Sequence, residues 1–483
     1  MKKPVQVALL SAALVLAAGC ASTGRPVDVE AQVAGTYGRG DSSANQPTVD
    51  LLTSAEADPS QMALTAWWQA FGDQRMNRLI STALEANRDL ASAGLRLQRA
   101  RASAERAGVD LWPRFSGSVD SSVSREIDTD GPSTRSHRAS VGLSWEIDLW
   151  GKLRAQRDVA QWEAEATAED RDATALALVA NTANLYWTLT FLNQRLAAGT
   201  ESLARVEKTL GLVRVQFEAG AVSRIELREA EQSLVTQRAA QLTLEQQRVE
   251  TRNALTVLLD GRPWPIGDEP QTMAIQASPG VSPGLPAELL GRRPDLRAAE
   301  LRLRSALAGI DIASTSYYPT LSLTGSAGGT STSLADVLAN PVATLGAGLS
   351  LPFLDWQGMK FDTEAARIDH AIAVNDFRKL LYTAFTEVDN ALSAKERLAG
   401  QVALAEQALA NARQIERLYE VRYRAGAVAL RIWLDAQQAR RDAELSLAQL
   451  KLEQLDNDVT LILALGGTDV TSPAEALAMK PAQ

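Results

Sequence analysis

The stretch Phe217-Glu218-Ala219-Gly220-Ala221-Val222 decides the fold, because the chain contains it twice. A shift of 206 residues leads to Tyr423-Arg424-Ala425-Gly426-Ala427-Val428. The same shift places four further residues on identical ones: Asp89 on Asp295, Pro113 on Pro319, Trp150 on Trp356 and Leu259 on Leu465. An internal repeat sets the architecture of a chain, and this one is a whole domain-sized arrangement. The chain therefore carries two quasi-equivalent halves of one symmetric object.

Long helices are predicted in each half. No proline occurs between Pro132 and Pro263 or between Pro352 and Pro473, and Ala, Leu, Glu, Gln and Arg, all good helix formers, dominate both intervals. Apolar residues recur at steps of three and four, as in Leu203-Val206-Leu210, which predicts helices packed side by side along their length. Gly220 and Gly426 are the predicted turns between ascending and descending helices, since glycine adopts turn conformations at little cost.

Strands are predicted between the helices. From Ala139 to Ile147 every odd position is apolar or small, and every even position is polar or glycine. This period of two indicates a strand with one apolar face. The second half repeats it in 321–327 and 345–353, so the chain offers four strands in two hairpins. An open sheet cannot span lipid, because its edges leave backbone groups unpaired. The alternative, the edge of a soluble sandwich, is disfavoured by the small number of strands.

The composition excludes several functional classes. The chain has 49 basic and 58 acidic side chains and therefore a net charge of −9. This charge disfavours nucleic acid as a partner, because phosphate binding needs clustered positive charge. Beyond the N-terminus no apolar run reaches the ~18 residues of a membrane helix. The two histidines are far apart, no nucleotide-binding or nucleophile motif occurs, and Cys20 is the single cysteine. We therefore expect no enzyme activity, no cofactor and no metal site.

The N-terminus has the pattern of a targeting segment. Lys2-Lys3 precede an apolar run from Val5 to Ala18, followed by Gly19-Cys20, which predicts a signal peptide. The cysteine at this place resembles a bacterial lipobox, which implies cleavage before Cys20 and lipidation of its thiol. Ala21 then fits sorting to the outer membrane. The alternative is an ordinary signal peptide with an incidental cysteine.

The predicted fold is mainly α with a small β part. The predicted organisation is a signal peptide (1–19), a lipidated leader (20–60), a first repeat (61–262), a linker (263–286), a second repeat (287–467) and a C-terminal tail (468–483). Each repeat consists of a helix, a β-hairpin and a long helical hairpin. The predicted β-hairpins are 114–148 and 320–354, and the predicted helical turns lie near 218–223 and 424–429.

One segment carries a specific resemblance. Gly291-Arg292-Arg293-Pro294-Asp295-Leu296 resembles a signature of the TolC-type outer membrane factors, in the lipoprotein branch called NodT- or OprM-like. Trp67-Trp68 and Asn87-Arg88-Asp89-Leu90 resemble its first-repeat counterpart, and the resemblance extends from about residue 60 to 467.

The resemblance implies a homotrimer in outer-membrane lipid, with a twelve-stranded barrel above a hollow periplasmic α-barrel. Its implied function is the exit duct of a tripartite efflux pump, with an inner-membrane RND-type transporter and a periplasmic adaptor protein. The duct of a type I protein secretion system is the alternative within the family. A lipid-anchored coiled coil without a pore is the alternative outside it.

The resemblance places the gate and the adaptor contact at the two helical turns. The candidate residues are Phe217, Gly220, Glu226, Glu229, Tyr423, Arg424, Gly426 and Asp435. Rings of the three carboxylates in a narrowed lumen would attract cations.

The chain departs from TolC at this place. TolC has a gate arginine and a gate aspartate where this chain has Val428 and Ile432. Candidate partners for a different gate network are Arg224, Arg422, Arg424 and Arg431. The alternative is that these are ordinary solvated charges, whose exposed ion pairs contribute about 0–1 kcal/mol.

Overall fold

The computed structural model describes residues 66–125, 132–273, 280–281, 289–467 and 470–471. The predicted signal peptide, Cys20 and the predicted leader lie outside the described residues, as does the C-terminal tail apart from 470–471.

The two halves contain the same elements in the same order, except that the first half begins with one additional helix. The first half has α1 (Gln74–Ala86), α2 (Arg88–Val109), β1 (Arg114–Ser124), β2 (Thr134–Ile147), α3 (Lys152–Glu218) and α4 (Arg224–Leu258). The second half has α5 (Pro294–Thr315), β3 (Thr320–Ser331), β4 (Val342–Ser350), α6 (Trp356–Arg424) and α7 (Leu430–Ala464). Short 3₁₀ or α turns occur at Trp67–Phe71, Ile266–Asp268, Leu289–Arg292, Leu334–Asp336 and Pro352–Leu354. A two-residue ladder pairs Gly280–Val281 with Val470–Thr471.

The predicted repeat is confirmed by the bounds of the helices. The shift of 206 residues that aligns the sequence carries α2 onto α5 and α4 onto α7 at both ends. It also carries the last residue of α3, Glu218, onto the last residue of α6, Arg424.

The helices α3 and α6 set the length of the molecule. They contain 67 and 69 residues, or roughly 100 Å each at ~1.5 Å per residue. Each begins where an aspartate side chain accepts backbone N–H groups. Asp148 accepts from Leu153 and Arg154 at 3.1 Å, and Asp355 accepts from Gly358 at 2.9 Å. Each ends at a glycine turn, so the sheet and the turns lie at opposite ends of the long helices.

The four long strands form one antiparallel sheet in the order β1-β2-β3-β4. The register pairs odd positions with odd positions, for example Phe115 with Leu143 and Trp145 with Leu323. All odd positions therefore share one face, and all even positions share the other. The part of the odd face nearer the helices is the apolar one predicted from the sequence, whereas Ser121, Arg135 and His137 lie at its outer end. The even face consists mainly of serine, threonine and glycine.

The apolar face and both edges of the sheet are uncovered in the single chain. Leu345 is 90% exposed, Phe115 77% and Val119 76%. Among the described residues, β1 and β4 each have one edge without a strand partner. A sheet in this state requires a further partner, because exposed edges and large apolar patches promote association.

The largest apolar core lies where the helices of both halves meet. Its residues come from α1, α3, α4 and α7, and include Met76, Tyr186 and Ile462, each fully buried. Within the described residues only α3 has a window apolar and long enough to cross a membrane, and 72% of that window is buried in the protein. This is the pattern of a core helix.

The signature segment is a buried junction between three helices. Arg293 precedes α5, and its guanidinium donates to both carboxylate oxygens of Asp295 at 3.0 and 2.8 Å. It also donates to Glu387 of α6 at 2.7 Å and to the Ala464 carbonyl at the end of α7 at 3.2 Å. Burial acts to lower the pKa of Arg293, but Asp295 and Glu387 outweigh it and the pKa is raised.

The first repeat makes the same junction with a different side chain. Asn87, the counterpart of Arg293, caps α2 and donates to the Leu258 carbonyl at 3.3 Å. Leu258 is the counterpart of Ala464 under the same shift. Both repeats thus use the residue before the helix that leads into their β-hairpin (α2 or α5) to hold the end of their last helix.

We predict that Arg293→Met lowers the free energy of unfolding by about 2 kcal/mol, because the buried Ala464 carbonyl loses a hydrogen-bond donor and two partly exposed carboxylates lose their partner. The thermal unfolding midpoint of the detergent-solubilised protein measures this change. The matched control is Arg304→Met, since Arg304 makes an exposed pair with Glu300 at 2.6 Å, which contributes about 0–1 kcal/mol. Equal shifts in the two variants would contradict the structural role of the signature.

Candidate functional site at the helical tips

The two glycine turns have the same backbone geometry. Gly220 has φ of 70° and Gly426 has φ of 73°. The N–H of Ala221 donates to the Gln216 carbonyl at 2.8 Å, and the N–H of Ala427 donates to the Arg422 carbonyl at 2.9 Å. This is the Schellman motif, in which a left-handed residue ends the helix and satisfies its last carbonyls.

The residues after the turns differ between the repeats. In the first repeat the Glu226 carboxylate accepts the N–H of Ser223 at 2.7 Å, within a capping box at the start of α4. In the second repeat Ala429 and Ile432 occupy these positions, and no side chain caps α7. Glu226, predicted to point into a lumen, therefore has a local partner at the beginning of its own helix.

A small aromatic cluster joins the two hairpins at the tip. Tyr423 is buried, and its ring stacks on Trp433 with centroids 5.3 Å apart. Its hydroxyl donates to Gln216 Oε1 of the other repeat at 2.6 Å. Burial, together with the charge of Glu226, raises the pKa of Tyr423, so the phenol stays a neutral donor. The cluster is completed by Leu210, Val213, Ala230 and Leu430. Phe217, a predicted tip residue, is half-buried and is not part of this cluster.

Charged contacts across the tip are long and exposed. Arg431 lies 3.5 Å from Glu229 of the other repeat and 3.9 Å from Asp435 of its own helix. Glu229 and Asp435 are repeat counterparts, so Arg431 lies between equivalent carboxylates. Arg424 pairs with Glu420 one turn back on α6 at 2.6 Å. The Arg431 side chain is 74% exposed, and pairs of this kind contribute at most about 1 kcal/mol.

A groove of about 760 Å³ runs between α4 and α7 at this end. Its charged lining is predominantly basic, because four arginines outnumber Glu229 and Asp435; the arginines are Arg224, Arg228, Arg431 and Arg441. Of the predicted tip residues, Gly220 and Gly426 form the turns, Tyr423 links the two hairpins, and Glu229 and Asp435 line the groove. Glu226 and Arg424 instead have partners close by in sequence, Ser223 and Glu420. The signature residues Arg292 to Asp295 are not among the residues of the tip.

The sequence interpretation missed two residues of this region. Gln216 bonds to Tyr423 but has Arg422 as its repeat counterpart, so the repeat gave no signal for it. Arg440 is buried and pairs with Glu416 of α6 and Glu444 of α7, each at 2.5 Å. Its chemistry resembles that of the other arginines on these helices, and burial alone distinguishes it.

The chain combines long helical hairpins, which end in the glycine turns, with an open sheet that has one apolar face. This combination is that of a channel-forming protein of the TolC type. The Outer membrane efflux protein family matches residues 79–261 and 285–467, and the chain belongs to this family. The two matched segments are again 206 residues apart. Proteins of this family are passive outer membrane channels, not enzymes.

Relatives and a solved structure agree with this assignment. The chain is 32% identical over 429 residues to the pyoverdine export outer membrane protein OpmQ of Pseudomonas putida, covering 86% of this chain and 90% of the relative. It is 31% identical over 448 residues to the toluene efflux pump outer membrane protein TtgC of P. putida, covering 91% and 90%. The open-state MtrE outer membrane channel of Neisseria gonorrhoeae superimposes with a TM-score of 0.78 at 26% identity, covering 92% of this chain and 98% of MtrE.

We predict that Gly426→Ala destabilises the tip by about 1–2 kcal/mol, the cost of a left-handed conformation for a residue with a Cβ. Hydrogen exchange of the turn amides measures this loss. The matched control is Gly400→Ala within α6, where alanine stabilises the helix by about 1 kcal/mol. A Cβ at either position meets nothing within 4 Å, so only backbone conformation separates the two variants. Equal exchange in both would contradict the assigned turn.

Proposed function

We propose that this chain forms a homotrimeric exit duct in the outer membrane, as the channel component of a tripartite efflux pump. The observation that carries the proposal is the sheet, which has four strands, two open edges and one bare apolar face. In hydrocarbon each unpaired backbone group costs several kcal/mol. Copies of the chain supply the missing partners when β1 of one copy pairs with β4 of the next.

Three copies give twelve strands, an even number within the range of outer-membrane barrels. The odd face then contacts lipid through residues such as Phe115, Val119 and Leu345. The even face, with Ser118, Ser140 and Thr324 among its residues, lines a water-filled lumen. The alternation along each strand is the one that a membrane barrel with an aqueous interior requires.

The long helices support the same assembly. On α4 an apolar stripe recurs every seven residues at Val235, Leu242 and Val249, which are 61%, 67% and 50% exposed in the single chain. A heptad stripe left bare on one helix is suited to a neighbouring helix. Helical hairpins of three copies, packed side by side, form the wall of a periplasmic tube.

The tip is the proposed entrance and adaptor contact. Both glycine turns lie roughly 100 Å from the sheet along the helices. The groove between α4 and α7 offers an adaptor protein a surface with both charge signs. Glu229 and Asp435 are the carboxylates proposed to face the entrance. An inner-membrane RND-type transporter supplies the energy, and the duct conducts small molecules passively.

Attachment at the N-terminus completes the proposal. Lipidation of Cys20 adds an acyl anchor, and one acyl chain alone holds a protein only weakly and reversibly. The barrel provides the second, stronger attachment to the outer membrane. Metabolic labelling with palmitate tests this step, since a Cys20→Ser variant would incorporate none.

We predict that Leu242→Glu converts the detergent-extracted particle from three chains to fewer, because the trimer would bury the new carboxylate in an apolar helix contact. Light scattering, corrected for bound detergent, measures the mass per particle. Cells lacking their own channel, supplied with adaptor and transporter, would lose efflux of a fluorescent dye with this variant.

The matched control is Gln247→Glu, which adds the same charge to α4 on an exposed position outside the apolar stripe. Its particle mass and dye efflux are expected to equal those of the unchanged protein. A monomeric unchanged protein, or trimers with both variants, would refute the proposed assembly.

A further inference from the structure

The two β-hairpins differ at the end that lies away from the helices. The loop after β1, residues 125–133, is charged and contains Glu126, Asp128 and Asp130. The loop after β3, residues 332–341, instead contains Leu334, Val337 and Leu338, with one charged residue, Asp336. Equivalent loops of the two repeats thus differ in chemistry: the first is charged and the second is mainly apolar.

The second loop lies back on the sheet at Gly329. A Cβ at Gly329 would collide with the carbonyl oxygen of Val337 and lie 3.2 Å from its carbon and 3.6 Å from the Asn340 carbonyl oxygen. Only a residue without a side chain permits this approach. The register pairs Gly329 with Ala139, so it belongs to the odd, apolar face.

The first repeat has a larger residue at this place. The counterpart of Gly329 is Val123, whose side chain is 65% exposed on the same face of β1. A valine at this place occupies the space that the second loop fills with backbone. The close approach in the second hairpin therefore depends on a glycine that the first repeat lacks.

Two large apolar side chains of this loop are exposed. Leu334 and Leu338 are 62% and 65% exposed. Local hydrogen bonds satisfy part of the loop backbone. The backbone N–H of Asp336 donates to the Ser333 carbonyl at 3.2 Å, and the N–H of Ala339 donates to the Asp336 carbonyl at 3.0 Å. Satisfied backbone groups lower the cost of contact with hydrocarbon.

The height of the loop matches the boundary of the membrane. From Leu321 to Gly329 the strand advances about 27 Å at ~3.4 Å per residue. A strand tilt of ~40° reduces this to roughly 20 Å along the membrane normal, compared with an apolar band of ~25 Å in outer-membrane barrels. The loop thus meets the sheet near the outer edge of that band, beyond Leu345.

We propose that residues 333–340 form an interfacial lipid anchor, with Leu334 and Leu338 inserted among the acyl chains of the outer leaflet. The inference rests on the proposed barrel, whose apolar face the loop extends. In the proposed barrel the polar even face lines the lumen and the odd face contacts lipid. The loop lies on the odd face, so lipid is the expected partner of its apolar side chains.

Spin labels at single introduced cysteines test the anchor in reconstituted full-length protein. Leu338→Cys carries the test label, Leu345→Cys reports the lipid-facing strand, and Ser326→Cys reports the lumen face. The unsubstituted protein, whose single cysteine is Cys20, gives the background labelling. Power saturation compares collision with oxygen, which partitions into lipid, and with a nickel chelate, which stays in water.

The expected result is that the label at position 338 favours oxygen over nickel, as at 345, whereas the label at 326 favours nickel. Adding Gly329→Val, the first-repeat residue, is expected to displace the loop and expose the 338 label to nickel without changing 345. A 338 label that behaves like 326, or is shielded from both reagents by protein, overturns the anchor while the barrel stands. A nickel-accessible label at 345 overturns the barrel, and the anchor with it.

Discussion

The backbone groups along β1 and β4 impose the constraint on which the rest of the structure depends. Within the part of the chain that the structure describes, each strand has one edge without a partner, and lipid offers no hydrogen bonds to replace one. The chain can satisfy these groups only with copies of itself or by keeping the sheet out of the membrane. The apolar odd face, with Leu345 90% exposed, excludes the second solution as a stable state in water. Repeat length, strand number and the bare stripe on α4 are all consistent with closure by association.

The two repeats keep one backbone plan and vary the chemistry that maintains it. Asn87 and Arg293 hold equivalent carbonyls, of Leu258 and Ala464, with an amide in one case and a guanidinium in the other. The turns at Gly220 and Gly426 share their hydrogen bonds, yet only the first is followed by a capping box. Gly329 admits the backbone of the following loop in the second hairpin, and the first repeat has Val123 at this place. The two repeats thus share their backbone arrangement and differ in the side chains that stabilise it.

Much of this fold could be predicted from the sequence, because its signals are periodic. The shift of 206 residues, the period-two strands and the turn glycines all express local geometry. The roles of single side chains could not be predicted in the same way. Arg292 and Arg293 are adjacent and identical in type. Only the packing of the helices shows that Arg293 is the residue that contacts Asp295, Glu387 and the end of α7. The spacing of Ser223 and Glu226 is that of a capping box, so the local partner of Glu226 could have been predicted. Glu226 was instead expected to face the lumen. The bond from Tyr423 to Gln216 spans 207 residues and has no local signal.

The junction at Arg293 also bears on how such proteins are recognised and compared. The most distinctive motif of the chain is engaged in joining α5, α6 and α7, and it lies apart from the tip and from the polar face of the sheet. If a set of proteins shares this motif, the shared feature is the way in which their helices are joined. Grouping proteins by this motif would therefore bring together ducts with different cargoes, and the chemical identity of the cargo has to be sought in other residues.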